Sequence, residues 1–287
     1  MRVEEGRRWG AGVLREAGIH APQRDVDLLL EEVLRCPPAL LLAHPERELS
    51  SAEKERFCAL VFRRCAREPL AYLLGRKGFW GRDFSVGPGC LVPRADTECL
   101  LETVLGVFSG GFFVDWGTGS GCIAATLALE RPASRGMAVD ASPRALAWAW
   151  KNFRDFGVLE RIELVHTGAP ADIPLGPDSV DLVVSNPPYI PSSRQASLMP
   201  EVREFEPPVA LDGGPDGLDP YRTLLPRASV VLKAGGYLAV EVGDVAQTDW
   251  LREHTTPPLV WKNLFLDLAG DVRGAVWQKA PPVAYNG

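Results

Sequence analysis

Five consecutive residues, Ser185-Asn186-Pro187-Pro188-Tyr189, combine groups suited to holding a planar –NH2. Two prolines fix φ and remove two backbone donors, so nearby carbonyls stay free to accept hydrogen bonds from a ligand. Asn186 adds a side-chain carbonyl and Tyr189 an aromatic face. The two hydrogens of an amide or amino group would be accepted by the Asn186 side chain and the Pro187 carbonyl. Asn186, Pro187 and Tyr189 are therefore the candidate catalytic residues, and with Pro188 they form the candidate substrate-binding set. An isolated Asn-Pro-Pro is more often a proline turn closing a strand, so its surroundings decide its meaning.

Those surroundings hold a second site, Asp115-Trp116-Gly117-Thr118-Gly119-Ser120-Gly121. Glycines after a strand let a ligand approach the backbone closely, and the following helix N-terminus presents free N–H groups. The spacing is G-x-G-x-G, with Cys122 where the dinucleotide fingerprint G-x-G-x-x-G has its third glycine, and no Gly-Lys-Ser/Thr of a Walker loop follows. Alone, such a loop can be a tight turn. Asp140 closes the next strand about 20 residues on, where a carboxylate in a doubly wound fold accepts from ribose hydroxyls. Its bland alternative is a helix cap, but with the glycine loop a nucleoside-containing cofactor is the better reading. The candidate cofactor-binding residues are Asp115, Gly117, Thr118, Gly119, Ser120, Gly121, Asp140 and Asn186.

The elements that must position these groups follow from periodicity. In the first 75 residues, Val26, Leu29, Leu30, Val33 and Leu34 recur at helical spacing until Cys36-Pro37-Pro38 stops them. Ser50 with Glu53 reads as a capping box opening a helix that carries Phe57, Leu60, Val61 and Cys65 on one face. Residues 1–75 are thus a small helical bundle. From Lys77 to Pro93, aromatics, glycine and proline interleave as in a short hairpin. Beyond it, Phe112–Val114, Met137–Val139, Ile162–Val165, Val180–Val184 and Tyr237–Val242 read as strands alternating with helices, one of which starts at Ser142-Pro143. This rhythm predicts a parallel sheet covered by helices on both faces. The expected division is 1–75, 76–93 and 94–287.

Composition limits the function classes. The 287 residues are 46% hydrophobic and 24% charged, as in a folded globular protein rather than a disordered one. No apolar run is long enough for a membrane span, and the start, MRVEEGRRWG, lacks the apolar core of a secretory signal, so a cytoplasmic protein is expected. The net charge is −6, and residues 1–75 hold 12 basic and 12 acidic side chains, which disfavours broad electrostatic binding to nucleic acid. Six cysteines and four histidines show no metal-ligand spacing, so neither a metal nor a disulfide framework is expected.

The ensemble resembles S-adenosylmethionine-dependent methyltransferases that act on planar amide or amino nitrogens, and within them the HemK/PrmC family. Beyond Asn186–Tyr189, the blocks that carry the likeness are Arg67–Gly75, Phe79-Trp80-Gly81, Leu91–Glu98, Glu206-Pro207 with Ala210–Gly214, Asp216-Gly217-Leu218, Tyr221-Arg222 and Glu241-Val242-Gly243. Together they span nearly the whole chain. The resemblance implies a Rossmann-like class I methyltransferase fold behind an N-terminal helical, substrate-recognising domain. It implies methyl transfer from S-adenosyl-L-methionine to the glutamine N5 of the Gly-Gly-Gln motif in class 1 peptide chain release factors, by a monomer without direct nucleic-acid or membrane partners. A sister group methylates a ribosomal-protein glutamine but usually lacks the Asp96-Thr97-Glu98 ending seen here; adenine-N6 methyltransferases share Asn-Pro-Pro-Tyr but suit a basic surface. One departure stands out: after the third strand the family usually has an acidic then a bulky residue near the adenine, whereas here the stretch is His166–Asp172, with Asp172 as the candidate substitute.

Overall fold

The computed structural model describes residues 1–168 and 172–281 and divides into two compact units, Met1–Arg76 with Met199–Phe205, and Lys77–Leu198 with Glu206 onward. In the first unit, α1 (Val3–Glu16), α2 (Pro22–Leu34), α3 (Pro38–Ala43), α4 (Ser51–Cys65) and α5 (Leu70–Leu74) pack around Leu14, Val26, Leu29, Leu30, Phe57 and Val61. Proline at the first helical position opens α2, and Arg35 in the left-handed region ends it. Pro38, expected only to stop a helix, starts the next one. The capping box opening α4 is present: Glu53 N–H donates to Ser50 Oγ at 3.3 Å, and Ser50 N–H donates to Glu53 Oε2 at 2.8 Å.

The second unit begins with a two-stranded sheet of β1 (Arg76–Phe79) and β2 (Arg82–Ser85), the expected hairpin. Then follow α6 (Thr97–Val107), β3 (Phe112–Trp116), α7 (Cys122–Glu130), β4 (Arg135–Asp140), α8 (Pro143–Asp155), β5 (Ile162–His166) and β6 (Val180–Ser185). After α9 (Pro200–Phe205), which belongs to the helical unit, come α10 (Asp219–Val231), β7 (Leu232–Glu241), α11 (Val245–Glu253), β8 (Leu259–Leu266) and β9 (Val272–Lys279).

Seven strands form one sheet in the order β5-β4-β3-β6-β7-β9-β8. Successive residues of a strand face opposite sides, so Phe113 and Leu182 join a core with α6, α7 and α8, whereas Val114 and Val183 join one with α10 and α11. The five predicted strands, β3 to β7, pair in parallel as expected, and two strands not predicted extend the sheet, with β9 antiparallel to both β7 and β8. A tight turn at Asp267–Gly270 joins β8 to β9, so no crossover helix is needed and the βα rhythm stops. The fifth predicted strand also starts earlier, at Leu232 rather than Tyr237.

Strand order reverses beside β3. The chain runs from β3 out through β4 and β5, then crosses back to β6 on the other side, which leaves a crevice at the carboxyl ends of β3 and β6. Trp116 and Ser185 are register partners there, and Ser185 Oγ–H donates to the Trp116 carbonyl at 2.7 Å. The glycine loop and Asn186 are thus neighbours because each follows the last residue of one of two paired strands.

Within the helical unit, buried Arg64 donates to Asp25 at 2.8 Å and to Glu201 of α9 at 3.0 Å, and Arg67 donates to the other Glu201 oxygen at 2.8 Å. Removing one partner of a buried ion pair strands the other charge. Arg64→Met is therefore expected to lower the unfolding free energy by about 3–5 kcal/mol. Urea unfolding followed by the helical signal checks this, and an unshifted midpoint would show that Asp25 finds water or another cation.

Candidate active site

The crevice holds a cavity of about 300 Å³ at the carboxyl ends of β3, β4 and β6. Gly117, Thr118, Gly119 and Ser120 line one side, Asp140 and Ser142 another, and Ser185 through Pro188 a third. Arg94 and Thr97 close it from the segment entering α6, and Pro207 and Thr223 from the far side.

The glycine loop hangs from the end of β4. The N–H groups of Gly117 and Thr118 both donate to the Val139 carbonyl, at 2.8 and 2.9 Å, and Gly119 N–H donates to Asp140 Oδ2 at 2.8 Å. These donors are used inside the protein, so the loop's contribution to the cavity is chiefly a face without Cβ atoms. Gly119 has φ +56°, in the left-handed region, and a Cβ built there would meet no protein atom within 4 Å.

Asp115 is fully buried and does not reach the cavity. Its Oδ2 accepts from Thr118 Oγ1 at 2.7 Å and from Ala124 N–H at 3.1 Å, so it braces the loop from below. Gly121, also expected at the cofactor, caps α7 instead, with φ +78° and a Cβ position blocked by Phe153. Asp140 does reach the cavity. Its oxygens accept from Gly119 N–H and Ser142 N–H, both at 2.8 Å, and each retains a lone pair for a further donor.

Asn186 follows β6, and its Nδ2 donates to Thr97 Oγ1 at 3.0 Å. Thr97 Oγ1–H in turn donates to Glu241 Oε2 at 2.7 Å, and Tyr189 Oη–H donates to Glu241 Oε1 at 3.2 Å. Among the described residues nothing donates to Asn186 Oδ1 or to the Pro187 carbonyl, and both residues line the cavity. Two acceptors without a donor among the described residues thus belong to consecutive residues that line the cavity.

Tyr189 departs from its expected place beside the –NH2. Its ring packs against the core beneath the sheet's α10 face, and its carbonyl accepts from Gln247 Nε2 at 2.8 Å, so it supports the turn from behind. Burial and the neighbouring Glu241 hold its phenol well above the ordinary range, so it remains a neutral donor. Thr97 and Glu241 were missed as site residues. The available signal was a lone carboxylate in the apolar run Leu238-Ala239-Val240-Glu241-Val242. Near the departure after β5, Thr167 and Gly168 line the cavity, Asp172 is exposed away from it, and residues 169–171 lie outside the described residues.

Burial raises the Glu241 carboxyl from 4.5 to about 7, against the hydrogen bonds from Thr97 and Tyr189; Asp96 adds to the rise and Arg273 opposes it. Burial likewise raises Asp115 from 3.8 to about 7, against its bonds from Thr118 and Ala124, with Asp140 adding to the rise. A carboxyl raised in the folded state contributes stability below its unfolded value and loses it as pH rises through its folded value. Stability should therefore fall between roughly pH 5 and pH 8, by on the order of 1–3 kcal/mol per group. Denaturant unfolding across this range should show a shallower decline in Glu241→Gln than in the wild type. An unchanged slope would remove Glu241 from the titration.

No helix among the described residues is long and apolar enough to cross a membrane, and none of their His, Cys, Asp and Glu side chains form a group of three or more able to hold a metal ion.

Residues 5–75 match the PrmC N-terminal domain, and residues 95–201 match the methyltransferase small domain. A release factor glutamine methyltransferase of Rhodospirillum rubrum is 45% identical over 82% of this chain and 72% of its own length. One of Bradyrhizobium diazoefficiens is 38% identical over 98% of this chain and 96% of its own. A crystal structure of a methyltransferase from Pyrococcus furiosus is similar in fold, with a TM-score of 0.55 and 18% identity, covering 78% of this chain and 98% of that one. On the sequence shared with these relatives and the matched N-terminal domain, the chain belongs to the release factor glutamine methyltransferase family.

Proposed function

We propose that this protein transfers a methyl group from S-adenosyl-L-methionine to the side-chain N5 of the glutamine in the Gly-Gly-Gln motif of class 1 peptide chain release factors. The observation that carries the reading is Asn186, whose Nδ2 is engaged by Thr97 while its Oδ1 is unclaimed beside the Pro187 carbonyl. An amide nitrogen is a poor nucleophile because its lone pair is delocalised into its carbonyl. Asn186 Oδ1 and the Pro187 carbonyl accept its two hydrogens and hold the nitrogen in line. Such positioning contributes about 7–11 kcal/mol to lowering a barrier when the geometry is near attack. The same acceptors stabilise the positive charge that develops on nitrogen, and the proton leaves to water afterwards, so no general base is assigned.

The residues present fit the cofactor. Asp140 keeps lone pairs for ribose hydroxyls, and the Cβ-free faces of Gly117 and Gly119 admit a ligand against the loop. When bound, the cofactor supplies an electrophilic methyl on a sulfonium.

The helical unit is assigned to recognition of the protein substrate; its balanced charge suits a protein better than a polyanion. The protein is read as a cytoplasmic monomer acting on the translation-termination machinery, without direct nucleic-acid binding. The test is mass spectrometry of a release factor incubated with the protein and S-adenosylmethionine. One added methyl group on the Gly-Gly-Gln glutamine is the expected result. Methylation of a ribosomal protein alone, or of adenine in nucleic acid, would replace the reading by one of its rivals.

A further inference from the structure

We propose that Glu241, acting through Thr97, is the positioning residue that sets which end of the Asn186 amide faces the methyl acceptor. The inference deepens the functional reading above and rests on it.

The two ends of an asparagine amide have nearly the same shape, so packing alone cannot choose between them; hydrogen-bond partners must. Only the carbonyl end can accept from a substrate –NH2. If the amide were reversed, two donors would confront each other and the site would repel its acceptor. The choice is therefore as important as the presence of Asn186.

The structure makes that choice in two steps. The Thr97 hydroxyl has one hydrogen, and it is given to Glu241 Oε2 at 2.7 Å. Toward Asn186, at 3.0 Å, Thr97 can then only accept, so the atom facing it must be Nδ2, and Oδ1 is left for the cavity. Glu241 sets the direction in its ionised form, which only accepts; burial raises this carboxyl to about 7, so that form prevails above neutral pH. Its second oxygen is occupied in the same sense by Tyr189 Oη–H at 3.2 Å.

Burial makes the arrangement decisive. Glu241 is 1% exposed and does not line the cavity, so water is not at hand to re-pair it. Among the described residues no salt bridge pairs Glu241 with a cation; nearby Arg273 pairs with Asp267 at 2.8 Å and Asp96 at 3.3 Å. A buried carboxylate held without a bonded cation weakens the fold rather than strengthening it. Its position is explained by the direction it imposes. The Tyr189 phenol, turned away from the substrate, serves the same carboxylate.

The test uses Glu241→Met and Thr97→Val, singly and together, in the full chain. Without the Glu241 acceptor, the Thr97 hydrogen turns to Asn186 and favours the reversed amide. Turnover on a release factor should then fall about 10–100-fold, the range found when outer partners that orient a ligand are removed. The KM for the release factor and the affinity for S-adenosylmethionine should be held in Glu241→Met, because Glu241 does not line the cavity. If the two residues act as one chain, the double variant should lose no more than the worse single variant.

A second readout needs no turnover. In nitrogen-labelled protein, the Asn186 side-chain amide protons, assigned by their absence in Asn186→Ala, should exchange slowly with solvent in the wild type and faster in both variants. Wild-type turnover in Glu241→Met, additive losses in the double variant, or unchanged amide exchange would each overturn the inference. A wild-type protein that methylates some other nitrogen would overturn the functional reading alone, since the exchange experiment would still report on the amide. Should Glu241→Met not fold, Thr97→Val, which keeps side-chain shape and leaves Glu241 in place, carries both readouts.

Discussion

Asn186→Ala should leave a folded protein that binds its cofactor but turns over a release factor about a hundred- to a thousandfold more slowly. The lost acceptor is fully used only when the amide nitrogen becomes positive, so kcat should fall further than substrate affinity. The closest measured analogue is removal of one preorganised donor from an oxyanion hole, which costs about 2.7–4 kcal/mol. Asn186→Asp is the sharper comparison. It keeps the shape and an acceptor oxygen, but the oxygen replacing Nδ2 would face Thr97 Oγ1, whose hydrogen already goes to Glu241. The variant should be impaired as well, with cofactor affinity held or raised because the added charge pairs with a sulfonium. Single-turnover kinetics with separate cofactor titration check both variants. An Ala variant with near-normal turnover would remove Asn186 from the mechanism.

Gly119→Val should abolish most cofactor binding while sparing the fold. Gly119 has φ +56°, where a β-branched residue is strained, and strain of this kind costs on the order of 1–3 kcal/mol. The residue lines the cavity, and a Cβ added there meets no protein atom within 4 Å. Relief of the strain would shift Gly119 N–H away from Asp140 Oδ2, disturbing the carboxylate offered to the ribose. The strain is present with and without cofactor, so affinity should fall chiefly through the occupied space and the disturbed Asp140 carboxylate. Calorimetric titration with S-adenosylmethionine checks it, with thermal unfolding to show an intact fold. Unchanged affinity would place the cofactor elsewhere.

Much of this site could be read from the chain because its main parts are local. The glycine loop, Asp140 and Asn186 each follow directly on a strand, and a strand's periodicity is visible over a few residues. The helical unit and the capping box at Ser50 are legible for the same reason. What escaped depends on distance along the chain. Thr97 and Asn186 are 89 positions apart, and Thr97 and Glu241 are 144 apart, so nothing local marks them as partners. Asp115 and Tyr189 sit inside recognisable motifs, yet the motif does not say which way a side chain turns; both point into the protein. The β8–β9 hairpin escaped because β8 exposes Val260, Leu264 and Leu266, which blurs the alternation expected of a half-buried strand.

The return of Met199–Phe205 to the helical unit bears on how this protein can be taken apart. Residues 1–75 read as a detachable module, but the unit they belong to is discontinuous: buried Arg64 and half-buried Arg67 share a carboxylate that the chain delivers more than a hundred positions later. Cutting at residue 76 leaves Glu201 on one fragment and both of its cations on the other. A chimera that exchanges the helical unit between relatives must therefore exchange two pieces, the first 76 residues and the seven from Met199 to Phe205, matched at Asp25, Arg64, Arg67 and Glu201. Those two pieces must be exchanged together, although they lie far apart in the sequence.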